Sequence, residues 1–199
     1  MNYVRLGTHY GGWWIEPDLL GSDSTVYSVG IGEDISFDLA LIDMVGCTVH
    51  AFDPTPRSLR WLKSQVLPKE FVIHPYGIAD HDGKAPFYPP ANREWVSHSI
   101  FPIPNSVGPV VPVDFKRFPT VMQLLKHDRL DLLKMDIEGA EYGVLKEILR
   151  ESLAVKQIAV ELHAVSASDT SPLSMVHLLE VHGYTEFYRE GTNHLFVRE

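Results

Sequence analysis

The sequence predicts an α/β domain: a mostly parallel seven-stranded sheet with helices on both faces and a C-terminal antiparallel hairpin. Three observations carry this. Short apolar segments alternate with stretches of helical periodicity along most of the chain, the pattern of parallel strands joined by crossover helices. A glycine turn, VGIG, follows the first of these strands, and acidic residues close the second and fourth. The chain ends in two strand-like segments parted by Glu190-Gly191-Thr192-Asn193, a tight reversal.

Each element has a local reason. Residues 25–30 (TVYSVG) read as the first strand, ending at a glycine, and 36–45 as a helix. Residues 48–53 (TVHAFD) form the second strand. Thr55 then caps a helix whose first turn holds Pro56, with Leu59, Leu62 and Val66 on one face. Residues 71–74 make the third strand, followed by Gly77-Ile78-Ala79-Asp80. A helix is expected at about 120–127, a fourth strand at 130–136, and a helix at about 140–149 that turns Val144, Leu145, Ile148 and Leu149 to the sheet. A fifth strand covers 158–162. Ser171-Pro172 opens the last helix, which Gly183 ends, and 184–189 and 194–198 pair as the hairpin.

The 199 residues suit one domain, 1–199, with a full core. Residues 1–24 form an N-terminal arm carrying Tyr10-Gly11-Gly12-Trp13-Trp14, which either folds over a ligand pocket, packs on the sheet, or joins a homodimer contact. Residues 81–119, rich in Pro, Asn and Ser, read as an insertion or lid near the site, with Trp95-Val96-Ser97-His98-Ser99 placed to line it. A net charge of −9 argues against a nucleic-acid partner gripped through phosphates. Arg57, Arg60, Lys63 and Lys69 read either as a local basic patch or as a solvated helix face. No apolar run reaches the ~20 residues of a membrane span, and the N-terminus lacks a signal-peptide layout. The single cysteine, Cys47, reads as a buried strand thiol, and the expected compartment is the cytoplasm.

The chemistry concentrates at strand ends. Gly30-Ile31-Gly32 lets the backbone turn sharply and approach a ligand at a helix start. The third glycine of the dinucleotide fingerprint is missing: Glu33-Asp34 stand there, repelling phosphate while tolerating an ammonium group. Asp53, 21 residues after Gly32, reads either as a ribose ligand or as a helix cap. Asp80 reads as an acceptor for an adenine amino group, with Ile78 and Ala79 against the ring, or as part of a simple turn. Asp136 and Glu138, two apart in extended chain, point to one side of the strand edge, though Glu138 and Glu141 also suit a helix start. His163, after the fifth strand, is a candidate base, and Asp136, Glu138 and His163 are a candidate divalent-cation set. His9, His50, His74 and His98 follow no ligand spacing.

The block LDLLKMDIEGAEYGVL, with VYSVGIGEDISFD, VHAFDPTP and GIADHDG in order before it, resembles the FkbM-type methyltransferases, and the first two blocks resemble a methyltransferase-like branch. The resemblance runs from about residue 25 to the hairpin. It implies a class I, Rossmann-like fold with S-adenosyl-L-methionine across the strand ends. It implies contacts at Gly30, Gly32, Asp53, Ala79, Asp80 and Asp136. The function expected is transfer of the methyl group to a hydroxyl of a small molecule or sugar, with Asp136, Glu138 and His163 activating the acceptor. A nicotinamide-dependent oxidoreductase and a non-catalytic S-adenosylmethionine-binding regulatory module are the competing expectations.

Overall fold

The computed structural model describes residues 2–164 and 171–198. A short antiparallel pair, β1 (Val4–Leu6) and β2 (Trp13–Ile15), leads into β3 (Thr25–Val29) and α1 (Ser36–Val45). Gly46, at φ +76°, ends α1 in the left-handed conformation that glycine adopts at little cost. β4 (Thr48–Phe52), α2 (Pro56–Leu62), β5 (Phe71–His74) and β6 (Gly77–Ala79) follow. Then come β7 (Gly83–Phe87), β8 (Val111–Arg117), α3 (Phe118–Leu125) and β9 (Arg129–Met135). The chain finishes with α4 (Glu141–Arg150), β10 (Ala154–Glu161), α5 (Pro172–Val181), β11 (Tyr184–Glu190) and β12 (Asn193–Arg198).

The main sheet has seven strands in the order β11-β12-β10-β9-β3-β4-β5. β12 runs antiparallel to both neighbours and the other pairings are parallel. The chain departs from β3 in both directions, to β4 on one side and β9 on the other, and this reversal opens a crevice at the strand ends. Strand alternation feeds two cores. Tyr27, Val29, Leu133 and Met135 pack with α3 and α4 on one face, whereas Val26, Val49 and Leu132 pack with α1, Trp13 and Ile15 on the other. No described helix is long and apolar enough to cross a membrane.

The bounds of α1 and β5 agree with the sequence expectation, and Ser171 forms a full capping box for α5. Several readings are corrected. α2 stops at Leu62, so Val66 lies beyond it and is 96% exposed rather than sharing a buried face. The Thr55 side chain makes no cap bond; its backbone N–H is instead satisfied by Asp53. α3 begins at Phe118, because Pro119 is preset for a first helical turn. Residues 81–119 contain two strands of a second, three-stranded sheet in the order β6-β8-β7. Cys47 is buried just ahead of β4.

The N-terminal arm packs on the sheet. Gln157 of β10 exchanges two hydrogen bonds with the Glu16 backbone at 2.9 and 3.0 Å, and Trp14 packs on Tyr188 with ring centroids 4.3 Å apart. The histidines without ligand spacing also find a place. His50 and His74 share a 3.0 Å hydrogen bond, and His127 bonds the Tyr27 hydroxyl at 2.9 Å. Burial lowers the pKa of all three, that of His50 to about 4, so they are neutral packing groups at physiological pH.

Candidate active site

The glycine turn, Asp53 and Asp136 meet on one rim of the sheet. Gly30 N donates to Phe52 O at 2.9 Å, and Asp136 N to Val29 O at 3.0 Å, so the ends of β3, β4 and β9 are bonded together. Gly30 has φ +77°, and a Cβ built on it would lie 1.7 Å from the Asp136 carbonyl oxygen. Asp53 then locks the turn: Oδ2 accepts from Gly32 N at 2.8 Å and Oδ1 from Thr55 N at 2.7 Å. Burial pushes its pKa up, and those hydrogen bonds oppose the shift. An ionised carboxylate has about four acceptor positions, so these two backbone bonds do not exhaust it.

These segments enclose a cavity of about 330 Å³, at the small end of the usual ligand-pocket range. Gly30, Ile31, Gly32, Asp53 and Ile78 line it, as do Asp136, Glu138 and His163. Ala79 and Asp80 do not. β6 pairs with β8 in the small sheet, which buries Ala79 against Phe87 and Phe115. The Asp80 side chain is 63% exposed and bonds His81 Nδ1 at 3.1 Å. Phe52, Phe87 and Phe115 supply an apolar wall beside Ile78.

Two covers complete the cavity, one from the arm (Tyr10 to Trp13) and one from residues 96–98 and 100 of the insertion. Both fasten to the acidic doublet after the glycine turn. Asp34 accepts from the Thr8 hydroxyl, which itself accepts from Gly11 N at 2.9 Å. Glu33 takes a two-pronged bond from Arg57, at 2.9 and 2.8 Å, and Arg57 Nη1 donates to the carbonyls of Arg93 and Glu94, both at 3.0 Å. Arg57 thus ties the insertion to the glycine turn while its side chain stays 40% exposed. Because the pair is partly exposed, Arg57→Ala is expected to shift stability by no more than about 1 kcal/mol. It is expected to speed trypsin cleavage at Arg93 several-fold, and an unchanged cleavage rate in a timed digest would remove Arg57 as the fastening.

At the opposite end sits an acid–histidine cluster. His163 Nδ1 bonds Glu141 Oε1 at 2.8 Å; its Nε2 lies 3.4 Å from Glu138, 3.8 Å from Asp136 and 3.8 Å from Glu161. Glu141, fully buried, also accepts from Ile137 N at 2.9 Å and Gly139 N at 2.8 Å. It therefore shapes the turn and orients the ring, a role the helix-start reading does not contain. Asp136 and Glu138 converge by a different route from the expected extended strand: β9 ends at Met135, and Glu138 is left-handed, at φ +53°. The Ser99 hydroxyl fixes that turn through the Glu138 carbonyl at 2.7 Å.

Burial raises the Asp136 pKa to about 7, helped by Glu161 and Glu138 and opposed by Lys134 and His163. Burial also raises that of Glu138. For His163 burial alone acts downward, but the Glu141 bond and the surrounding carboxylates overcome it and hold the pKa at about 9. Among the described residues, ligand-type atoms of Asp136, Glu141 and His163 lie within 4.8 Å of one another. Since Glu141 already serves Nδ1 and two backbone N–H groups, it acts as the outer carboxylate of a carboxylate–histidine pair, with Nε2 toward the remaining acids.

A sheet of this order, with a glycine turn and the acids Asp53, Asp136 and Glu138 on its switch-point rim, is the arrangement expected of the class of S-adenosylmethionine-dependent methyltransferases. Within it, the chain belongs to the FkbM methyltransferase family: the family model for the methyltransferase FkbM domain matches residues 23–186. The human probable methyltransferase-like protein 24 is 29% identical over 155 residues, covering 73% of this chain and 36% of that protein. Its rat counterpart is 28% identical over the same shares. The chain thus spans about a third of the length of the curated relatives it matches. Among solved structures, the fibrillarin pre-rRNA processing protein of Methanococcus jannaschii aligns with a TM-score of 0.49 at 15% identity, covering 94% of this chain and 70% of that one. Aeropyrum pernix fibrillarin, in complex with natively bound S-adenosyl-L-methionine, aligns at 0.46 and 15% identity, covering 92% and 68%.

Proposed function

We propose that the chain binds S-adenosylmethionine across the strand ends and methylates a hydroxyl oxygen of a small molecule or sugar in the cytoplasm. The observation that carries this reading is the placement of Asp136, Glu138 and His163 on the same cavity as Gly30, Gly32 and Asp53. Bound there, S-adenosylmethionine supplies an electrophilic methyl group. The open acceptor positions of Asp53 take the ribose hydroxyls, and Ile78 with the phenylalanine wall takes the adenine ring. The covers exclude water and align the acceptor, which is the larger part of catalysis in an in-line displacement.

Asp136, with its pKa of about 7, is the proton acceptor at neutral pH. His163, protonated below about 9, balances the carboxylates around it. A divalent cation is the alternative charge at this end: Asp136, Glu138 and His163 Nε2 would hold it once Glu138 closes on the other two, and it would lower the pKa of the acceptor hydroxyl. The acidic end and the net charge of −9 favour an acceptor other than nucleic acid.

Calorimetric titration with S-adenosylhomocysteine tests the binding half, and methyl transfer to a panel of hydroxyl acceptors, with EDTA or with added Mg²⁺, tests the rest. Asp136→Asn is expected to lower transfer by about 100-fold or more. Failure of wild type to bind S-adenosylhomocysteine overturns the reading, and saturable NADH binding would put an oxidoreductase in its place. Binding without transfer to any acceptor would instead favour a regulatory module.

A further inference from the structure

A second pair of buried charges, Lys134 and Asp38, lines the cavity beside the His163 cluster. Lys134 stands between Leu133 and Met135 on β9 and is only 5% exposed. Its Nζ donates to the Gly30 carbonyl and lies 5.1 Å from the centre of the Trp13 ring. One of three ammonium donors is thereby used. Among the described residues no carboxylate comes within 4.0 Å of it. Asp38, in the first turn of α1, is 2% exposed, and its Oδ1 has no hydrogen-bond partner. The Ser28 hydroxyl lies beside it, but neither buried oxygen forms an aligned hydrogen bond. Both Lys134 and Asp38 line the cavity.

A buried cation and a buried anion that feel each other's charge without touching are a costly arrangement. Direct contact would be cheaper, and the cost is recovered if a ligand carrying both charges fits between them. The acids of the glycine turn are already engaged, Glu33 by Arg57 and Asp34 by Thr8 and Ser36. That moves the expected ammonium contact away from Glu33 and Asp34. We propose that Lys134 and Asp38 form a zwitterion subsite that takes the α-carboxylate and α-ammonium of the amino-acid end of S-adenosylmethionine. This rests on the cofactor reading above and adds which residues select for the amino-acid group.

Three ligands separate the two charges: S-adenosylhomocysteine carries both, its decarboxylated analogue keeps only the ammonium, and 5′-methylthioadenosine has neither. By calorimetry, Lys134→Met is expected to weaken S-adenosylhomocysteine by about 10- to 100-fold, the range for hydrogen bonds to charged groups, and to leave the other two ligands unchanged. Asp38→Asn, nearly isosteric, is expected to weaken S-adenosylhomocysteine and the decarboxylated analogue about 10-fold or more and to spare methylthioadenosine. Retained methylthioadenosine binding reports a folded site, and if Lys134→Met does not fold, Asp38→Asn decides alone. Equal loss of all three ligands, or loss of none, overturns the subsite while leaving the cofactor reading intact. Failure of wild type to bind any of the three overturns both.

Discussion

Gly30→Ala is expected to destabilise the chain by more than about 4 kcal/mol, the range reserved for changes that a fold cannot absorb. The added Cβ would meet the Asp136 carbonyl oxygen at 1.7 Å and its carbon at 2.8 Å. Those are backbone atoms, held by the Gly30–Phe52 and Asp136–Val29 hydrogen bonds, so no side chain can swing aside. Relief requires parting β3 from β9 at the centre of the sheet. For a domain of this size the thermal midpoint should fall by roughly 10 °C or more, read by circular dichroism. Gly191→Ala is the control: its φ is +62° but nothing lies within 4 Å of the new atom, so only the left-handed cost of about 1–2 kcal/mol applies. Similar midpoints for the two variants would show that the strand ends are not locked together.

Glu141→Ala is expected to cost about 3–5 kcal/mol, the usual penalty for removing one member of a buried charged network. Ile137 N, Gly139 N and His163 Nδ1 all lose their acceptor at once. The effect carries a pH signature. The folded-state pKa of His163, about 9, and that of Asp136, about 7, both exceed their ordinary values of 6.5 and 3.8. Both groups therefore bind a proton more tightly when folded. The stability they contribute is complete below those ordinary values and is lost as pH rises through 7 and then 9. Wild type in EDTA should thus lose thermal stability through Asp136 between about pH 4 and 7 and through His163 between about pH 6.5 and 9, and Glu141→Ala should flatten the upper part of that slope. A variant with the wild-type slope would detach Glu141 from the protonation of His163.

The sheet was legible because its signals are local. Alternation in the strands, Pro56 and Ser171 at helix starts, and Gly183 after α5 act within a few residues of themselves. The convergence of Gly30, Asp53 and Asp136 was legible for a different reason, since the rule for ligand crevices at strand ends needs only strand order. What escaped depends on pairing between distant segments. Asp80, which reads as an adenine acceptor or as part of a turn, lies off the cavity lining in a way set by the β6–β8 pairing, which joins residues nearly forty apart. His50, His74 and His127 meet only through neighbouring parallel strands and the connection before β9. Lys134 did leave a trace: a lysine between Leu133 and Met135 in a strand destined for burial asks for a partner, and its face was set by the same alternation that placed Asp136.

The acidic doublet after the glycine turn has a mechanical consequence. The arm is tethered to Asp34 and the insertion loop, through Arg57, to Glu33, so adjacent peptide units anchor both walls of the mouth. The two walls therefore share one anchorage, the reversal after β3, rather than being held at separate points of the sheet.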